Sequence, residues 1–155
     1  MKIILLFVVV ICIIFIGALI AKTLQKQCDI FYDLLKFCDV LIAQIAFTKN
    51  DFNHIVLQNK HLFCSEFQTI IYAYFIEEKY EINCAYLSLN DENIILNFFN
   101  QLGMLDCDGE QNLIKSVKNS INLQYEKKVE NNNKYAPIVK KCSVLFAILL
   151  VIVVL

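Results

Sequence analysis

The sequence of 155 residues contains no arginine, one proline and three glycines. With so few breakers and no repeat of them, collagen-like, low-complexity and disordered classes are excluded. The absence of arginine beside abundant Lys, Asn and Ile reflects a coding sequence biased toward A and T, and carries no functional information. Charge is scarce: 14 basic and 15 acidic residues give a net charge of −1. No basic face is dense enough to track a phosphate backbone, which argues against nucleic acid as a partner. Seven cysteines (Cys12, Cys28, Cys38, Cys64, Cys84, Cys107 and Cys142) form no C-x-x-C pair. Neither a disulfide framework nor a zinc ribbon fits, and the scatter reads as small buried hydrophobes in a reducing compartment.

What is present in excess is apolar surface. Hydrophobic residues make up 58% of the chain, too many for an ordinary soluble domain. The excess is uneven, because residues 3–21 carry no charge and residues 142–155 carry none and one polar residue, Ser143. As a helix the first run measures about 28 Å, enough for a hydrocarbon core of about 30 Å. A cleaved signal peptide is the rival reading, but the run exceeds the usual signal core and Lys22 continues directly into patterned sequence. The closing run is shorter, about 21 Å, and is extended by Ile138 and Val139 if Lys140 and Lys141 snorkel. Lys22, Lys26 and Lys36 follow the first run, and Lys134, Lys140 and Lys141 precede the second. This places the segment between them in the cytoplasm. The expected organisation is a transmembrane helix over 1–21, a cytoplasmic helical bundle over 22–141 and a C-terminal transmembrane helix over 142–155.

Within the central segment, Leu24, Ile30, Phe31, Leu34, Leu35, Cys38, Leu41, Ile42 and Ile45 recur at steps of three and four, which predicts an amphipathic helix. A break falls at Thr48–Asp51, where Asn50 or Asp51 can cap a second helix through Ile55, Leu57 and Leu62. Ser65 can cap a third that ends near Glu78. The stretch Lys79–Leu87 is weakly patterned and is expected to form a short helix. Ser88-Leu-Asn-Asp91 has the form of a capping box opening a helix through Phe98 and Phe99, with Gly103 suited to the left-handed position behind it. A last helix is expected from Asp108, capped with Gln111 three residues on, until Pro137. Strand alternation is nowhere sustained. The class is therefore all-α, an antiparallel helical bundle between two transmembrane helices.

Catalytic and metal chemistry find little support. His54 and His61 lie two helical turns apart, about 10 Å, too far to share one metal. Asp106-Cys-Asp108-Gly109-Glu110 lacks the spacing of a calcium loop and reads as a turn with an N-cap. No Ser-His-Asp order, P-loop or glycine-rich phosphate cradle occurs, so no enzyme activity, cofactor, metal or small-molecule substrate is expected.

Four stretches carry a resemblance: Ile16-Gly-Ala-Leu-Ile-Ala21, Gln44-Ile-Ala-Phe47, Leu102-Gly-x-x-Asp106 with Gln111 behind it, and Lys134-Tyr135 before the closing run. In their order and in overall length the chain resembles the stage III sporulation protein AB family of endospore-forming bacteria. The resemblance implies a helical domain similar to the inner-membrane platform proteins of type II secretion and type IV pilus systems. It also implies assembly at the cell membrane with other stage III sporulation proteins, including an AA-type ATPase, in the complex linking mother cell and forespore. Gly103, Asp106, Asp108 and Gln111 form the turn that is either structural or the contact with that partner. A small holin-like lytic protein is the alternative, although a patterned domain of this size exceeds what lysis needs.

Overall fold

The computed structural model describes residues 2–47 and 52–154. Helices account for 86% of the chain, and no strand occurs among the described residues, so the class is all-α. Among the described residues five α-helices follow one another: α1 (Lys2–Phe47), α2 (Phe52–Asn59), α3 (Ser65–Phe75), α4 (Leu89–Gln101) and α5 (Cys107–Val154). A single 3-10 turn, Lys60–Leu62, follows α2. The expected caps Asn50 and Asp51 lie outside the described residues. Two compact units result, one from residues 1–28 and 127–155, the other from residues 29–126.

In the first unit α1 and α5 run antiparallel, since Gly17 meets Ser143 while Gln25 meets Asn132. A Cβ on Gly17 would lie 2.6 Å from the Ser143 Cβ, so only glycine permits this approach. Ala21 and Ala147 are also buried. Each helix thus carries a small-x-x-x-small pair, Gly17 with Ala21 and Ser143 with Ala147, the arrangement that lets helix backbones pack closely in lipid. Phe7, Ile11, Phe15, Leu145, Ile148 and Ile152 point outward and are exposed. Both helices are long and apolar enough to cross a membrane. Pro137 does not end α5 as its sequence context suggests, but sits inside it. The ring removes one N–H and frees the Asn133 carbonyl, at a cost of about 3 kcal/mol. Continued helical backbone on both sides, with Ser143 and Ala147 packed against α1, outweighs that cost.

The second unit closes around Phe37 of α1, which is fully buried. Its ring centroid lies 6.0 Å from those of Phe63, Phe67 and Phe99 and 6.1 Å from that of Phe75. Ile30, Phe31, Leu34, Cys38 and Leu41 complete the buried face of α1, following the predicted helical spacing. Tyr32 stacks obliquely with Tyr125 and Asp39 pairs with Lys118, so α5 runs antiparallel to α1 here as well.

Three local expectations are corrected. The N-cap of α3 is Cys64 and not Ser65, and its side chain makes no capping bond. The acceptor comes instead from α1, where buried Asp33 receives the Cys64 N–H at 2.5 Å, while Lys36 donates to the Leu62 carbonyl at 3.0 Å. Leu57 and Leu62 face outward, and Ile55, Val56 and Phe63 take the core positions. Residues 79–87 form no helix. Glu78 adopts a positive φ of 53°, which ends helical geometry, and the chain then lays Ile82, Cys84 and Tyr86 toward the core with Glu81, Asn83 and Ala85 outward. Glu92 of α4 accepts the Cys84 N–H at 3.0 Å and holds this irregular segment in place.

Truncating the central ring should uncouple all its neighbours. Phe37→Ala is expected to destabilise the second unit by about 3–5 kcal/mol, with Phe37→Leu costing less. Thermal melting of the full chain followed by near-ultraviolet circular dichroism measures both.

Candidate functional site

The turn between α4 and α5 is built from both helix ends. At the start of α4 the predicted capping box forms: the Ser88 hydroxyl accepts the Asp91 N–H at 3.3 Å, and the Asp91 carboxylate accepts the Ser88 N–H at 3.2 Å. Ile95, Phe98 and Phe99 then anchor the helix in the core. At its far end Leu102 is the C-cap and Gly103 has a φ of +83°, the left-handed conformation expected for it. A Cβ there would approach Phe52 of α2 to 3.2 Å.

The cap of α5 is a correction. The helix begins at Cys107, and Asp106 is the residue whose carboxylate accepts the Gly109 N–H at 3.1 Å, with its carbonyl accepting the Glu110 N–H at 2.8 Å. Asp108 lies exposed in the first turn and Gln111 is half-buried on α5. The earlier start puts Glu110 and Ile114 on the inner face one turn apart, both buried. Glu110 then reaches back across the turn and accepts the Gly103 N–H at 2.9 Å, while its other oxygen is enclosed without a partner among the described residues. Gly103 and Asp106 are therefore tied into one framework, in which Glu110 is the member that sequence reading missed. The two acids Asp106 and Glu110 are turned onto backbone amides, an arrangement that satisfies helix and turn donors.

The turn also exposes apolar groups. Met104 is 75% and Leu105 54% exposed, and the exposed residues Asp106 and Asp108 follow them in the chain. Their signal was in the sequence, since Leu102-Gly-Met-Leu105 puts large apolar residues in a turn where polar ones are usual.

Elsewhere the chemistry is quiet. His54 and His61 are exposed, Cys64 is half-buried, and among the described residues no group of His, Cys, Asp or Glu could hold a metal ion. Burial, reinforced by the charge of Asp39, pushes the Cys38 thiol up to about 12. Burial and the neighbouring Asp33 push Cys64 up to about 11. Both remain thiols at neutral pH and lack the activation a nucleophile needs.

A scan against protein families matches the whole described chain: the family model described as stage III sporulation protein AB covers residues 2–155. No curated protein and no solved structure matches. The chain belongs to the stage III sporulation protein AB family.

The framework makes graded predictions for stability, read by thermal melting. Gly103→Val should cost about 1–3 kcal/mol through backbone strain. Glu110→Ala, which strands the Gly103 N–H, should cost about 1–3 kcal/mol, and Glu110→Gln less because the amide oxygen still accepts. Asp106→Ala should cost about 0.5–2 kcal/mol as a lost cap, whereas Asp108→Ala should stay within about 0.5 kcal/mol. The reverse order for the two aspartates would return the cap to Asp108.

Proposed function

We propose that this member of the stage III sporulation protein AB family is a non-catalytic, two-span membrane component. In this reading the α4–α5 turn docks an ATPase of the complex that links mother cell and forespore. The observation that carries the reading is the exposure of Met104 and Leu105 next to the exposed acids Asp106 and Asp108. Exposed apolar groups rimmed by one sign of charge suit a partner face with an apolar pocket and a basic border. Because the Gly103–Glu110 bond and the Asp106 cap already order the turn, docking loses little conformational freedom. Two apolar helices fit membrane anchorage, and the lysines beside them favour a cytoplasmic position for residues 29–126, where a nucleotide-driven partner operates. The likeness to secretion platform proteins, drawn from sequence resemblance, agrees with a helical domain that transmits no chemistry of its own.

Topology is tested on Cys107, which is exposed, and not on Cys28 or Cys38, which are buried and silent on either side. In a variant carrying Cys12→Ala and Cys142→Ala, a membrane-impermeant maleimide should label Cys107 only after permeabilisation. Labelling in intact cells would place the unit outside.

Docking is tested with Asp108→Lys, chosen because Asp108 is not the cap. Affinity for the ATPase should fall about five- to tenfold, equivalent to about 1–1.4 kcal/mol, with the melting temperature nearly unchanged. Unaltered affinity for both Asp108→Lys and Met104→Ala would remove the turn from the interface.

A further inference from the structure

The first unit has a feature that docking leaves unused. A groove of about 650 Å3 opens between its helices, with Lys22 and Gln25 of α1 on one side and Asn132, Asn133, Pro137 and Lys140 of α5 on the other. Its level along the helices follows from the sequence. Lys22 is the first charge after the uncharged run 3–21, and Lys140 stands just before the run 142–155. If these runs span a bilayer, the groove sits among the lipid headgroups.

Its lining selects a ligand type. Two ammonium groups line it and no carboxylate does, so an anion is favoured. One backbone carbonyl there also loses its helical donor. Pro137 has no N–H to offer the Asn133 carbonyl. A bare phosphate diester satisfies the lysines and leaves this carbonyl unmet, whereas a headgroup that adds a hydroxyl meets all three.

We propose that this groove binds a glycerol-bearing anionic phospholipid, with phosphatidylglycerol chemistry. The phosphate lies between Lys22 and Lys140, and a headgroup hydroxyl donates to the carbonyl oxygen of Asn133, which Pro137 leaves without its helical donor. The site rests on the two-span reading and is independent of the docking turn. It differs from the general attraction of basic residues to an acidic membrane in one respect: Lys141, adjacent to Lys140, does not line the groove.

The test places the full chain in phosphatidylcholine nanodiscs containing a minor fraction of phosphatidylglycerol or phosphatidic acid, then measures by mass spectrometry the lipids retained on extraction. Phosphatidylglycerol should be enriched over both other lipids. Lys22→Gln and Lys140→Gln should each lower that enrichment about fivefold, the factor for about 1 kcal/mol per basic residue at an anionic surface, and Lys141→Gln should not. Pro137→Ala, which returns an N–H to the Asn133 carbonyl, should abolish the preference over phosphatidic acid while keeping the preference over phosphatidylcholine. Equal losses for all three lysine variants would show a diffuse field and overturn the site. Displacement of the lipid by inorganic phosphate alone would make it a free-anion site and overturn the lipid assignment. A chain that enters no nanodisc fails the two-span reading and the site with it, whereas one that inserts without enriching phosphatidylglycerol fails the site alone.

Discussion

The bundle depends on the burial of one ring. Phe37 is enclosed by Phe63 from the linker before α3, by Phe67 and Phe75 of α3 and by Phe99 of α4, all at centroid separations near 6 Å. The contacts with Phe63, Phe67 and Phe99 are edge-to-face, and such contacts add about 0.5–1.5 kcal/mol each beyond area burial, so position as well as solubility is specified. The consequence reaches the turn. Phe99 lies in the last turn of α4, and fixing it fixes Leu102 and Gly103 behind it, whose N–H meets Glu110 of α5. An exposed surface is thus held by a chain of contacts that begins in the core. This is how a small unit can hold a surface turn in a defined shape.

The second constraint is that α1 and α5 each change surface character along their length. Residues of α1 up to Cys28 turn Phe7, Ile11 and Phe15 outward, while from Ile30 onward its large apolar residues are buried and Tyr32 and Asp39 are exposed. An outward apolar surface is unfavourable in water at about 25 cal/mol per Å2 and costs nothing in lipid. Pairing within the apolar part therefore relies on close approach at Gly17, Ala21, Ser143 and Ala147, and not on hydrophobic burial. Polar groups reappear at Gln25 and Asn132, where they bond each other. The change in side-chain chemistry along both helices marks where a bilayer would end.

How much of this was legible in the sequence follows from the range of each interaction. The Ser88–Asp91 capping box and the positive φ of Gly103 are settled within a few residues, and sequence alone located both. The buried positions Ile30, Phe31, Leu34, Cys38 and Leu41 were equally plain, because they form a periodicity, whereas Phe37, which falls between its steps, was not among them. Interactions across long separations were not visible. Asp33 caps α3 from thirty-one positions upstream, and no local pattern signals it. The choice between Asp106 and Asp108 as cap turns on Glu110 reaching Gly103, a contact that exists only once both helices are docked. Residues 79–87 were misread as helical because the decisive event, the positive φ at Glu78, leaves no mark in a non-glycine residue. The inward alternation of Ile82, Cys84 and Tyr86 was the available clue to extended backbone. Pro137 misled in the opposite direction, since its penalty is local and the packing that outweighs it is not.

The family assignment and the two candidate spans frame the protein as part of a sporulation assembly, and the proposed contact at the α4–α5 turn is the central claim. Met104 and Leu89 are equally exposed, each 75%, and stand at opposite ends of α4. They form a matched pair for photo-cross-linking with a benzophenone amino acid in cells that produce the chain together with its complex. The account predicts a cross-link from position 104 to the ATPase and none from position 89. Cross-links of equal yield from both positions, or from position 89 alone, would contradict it.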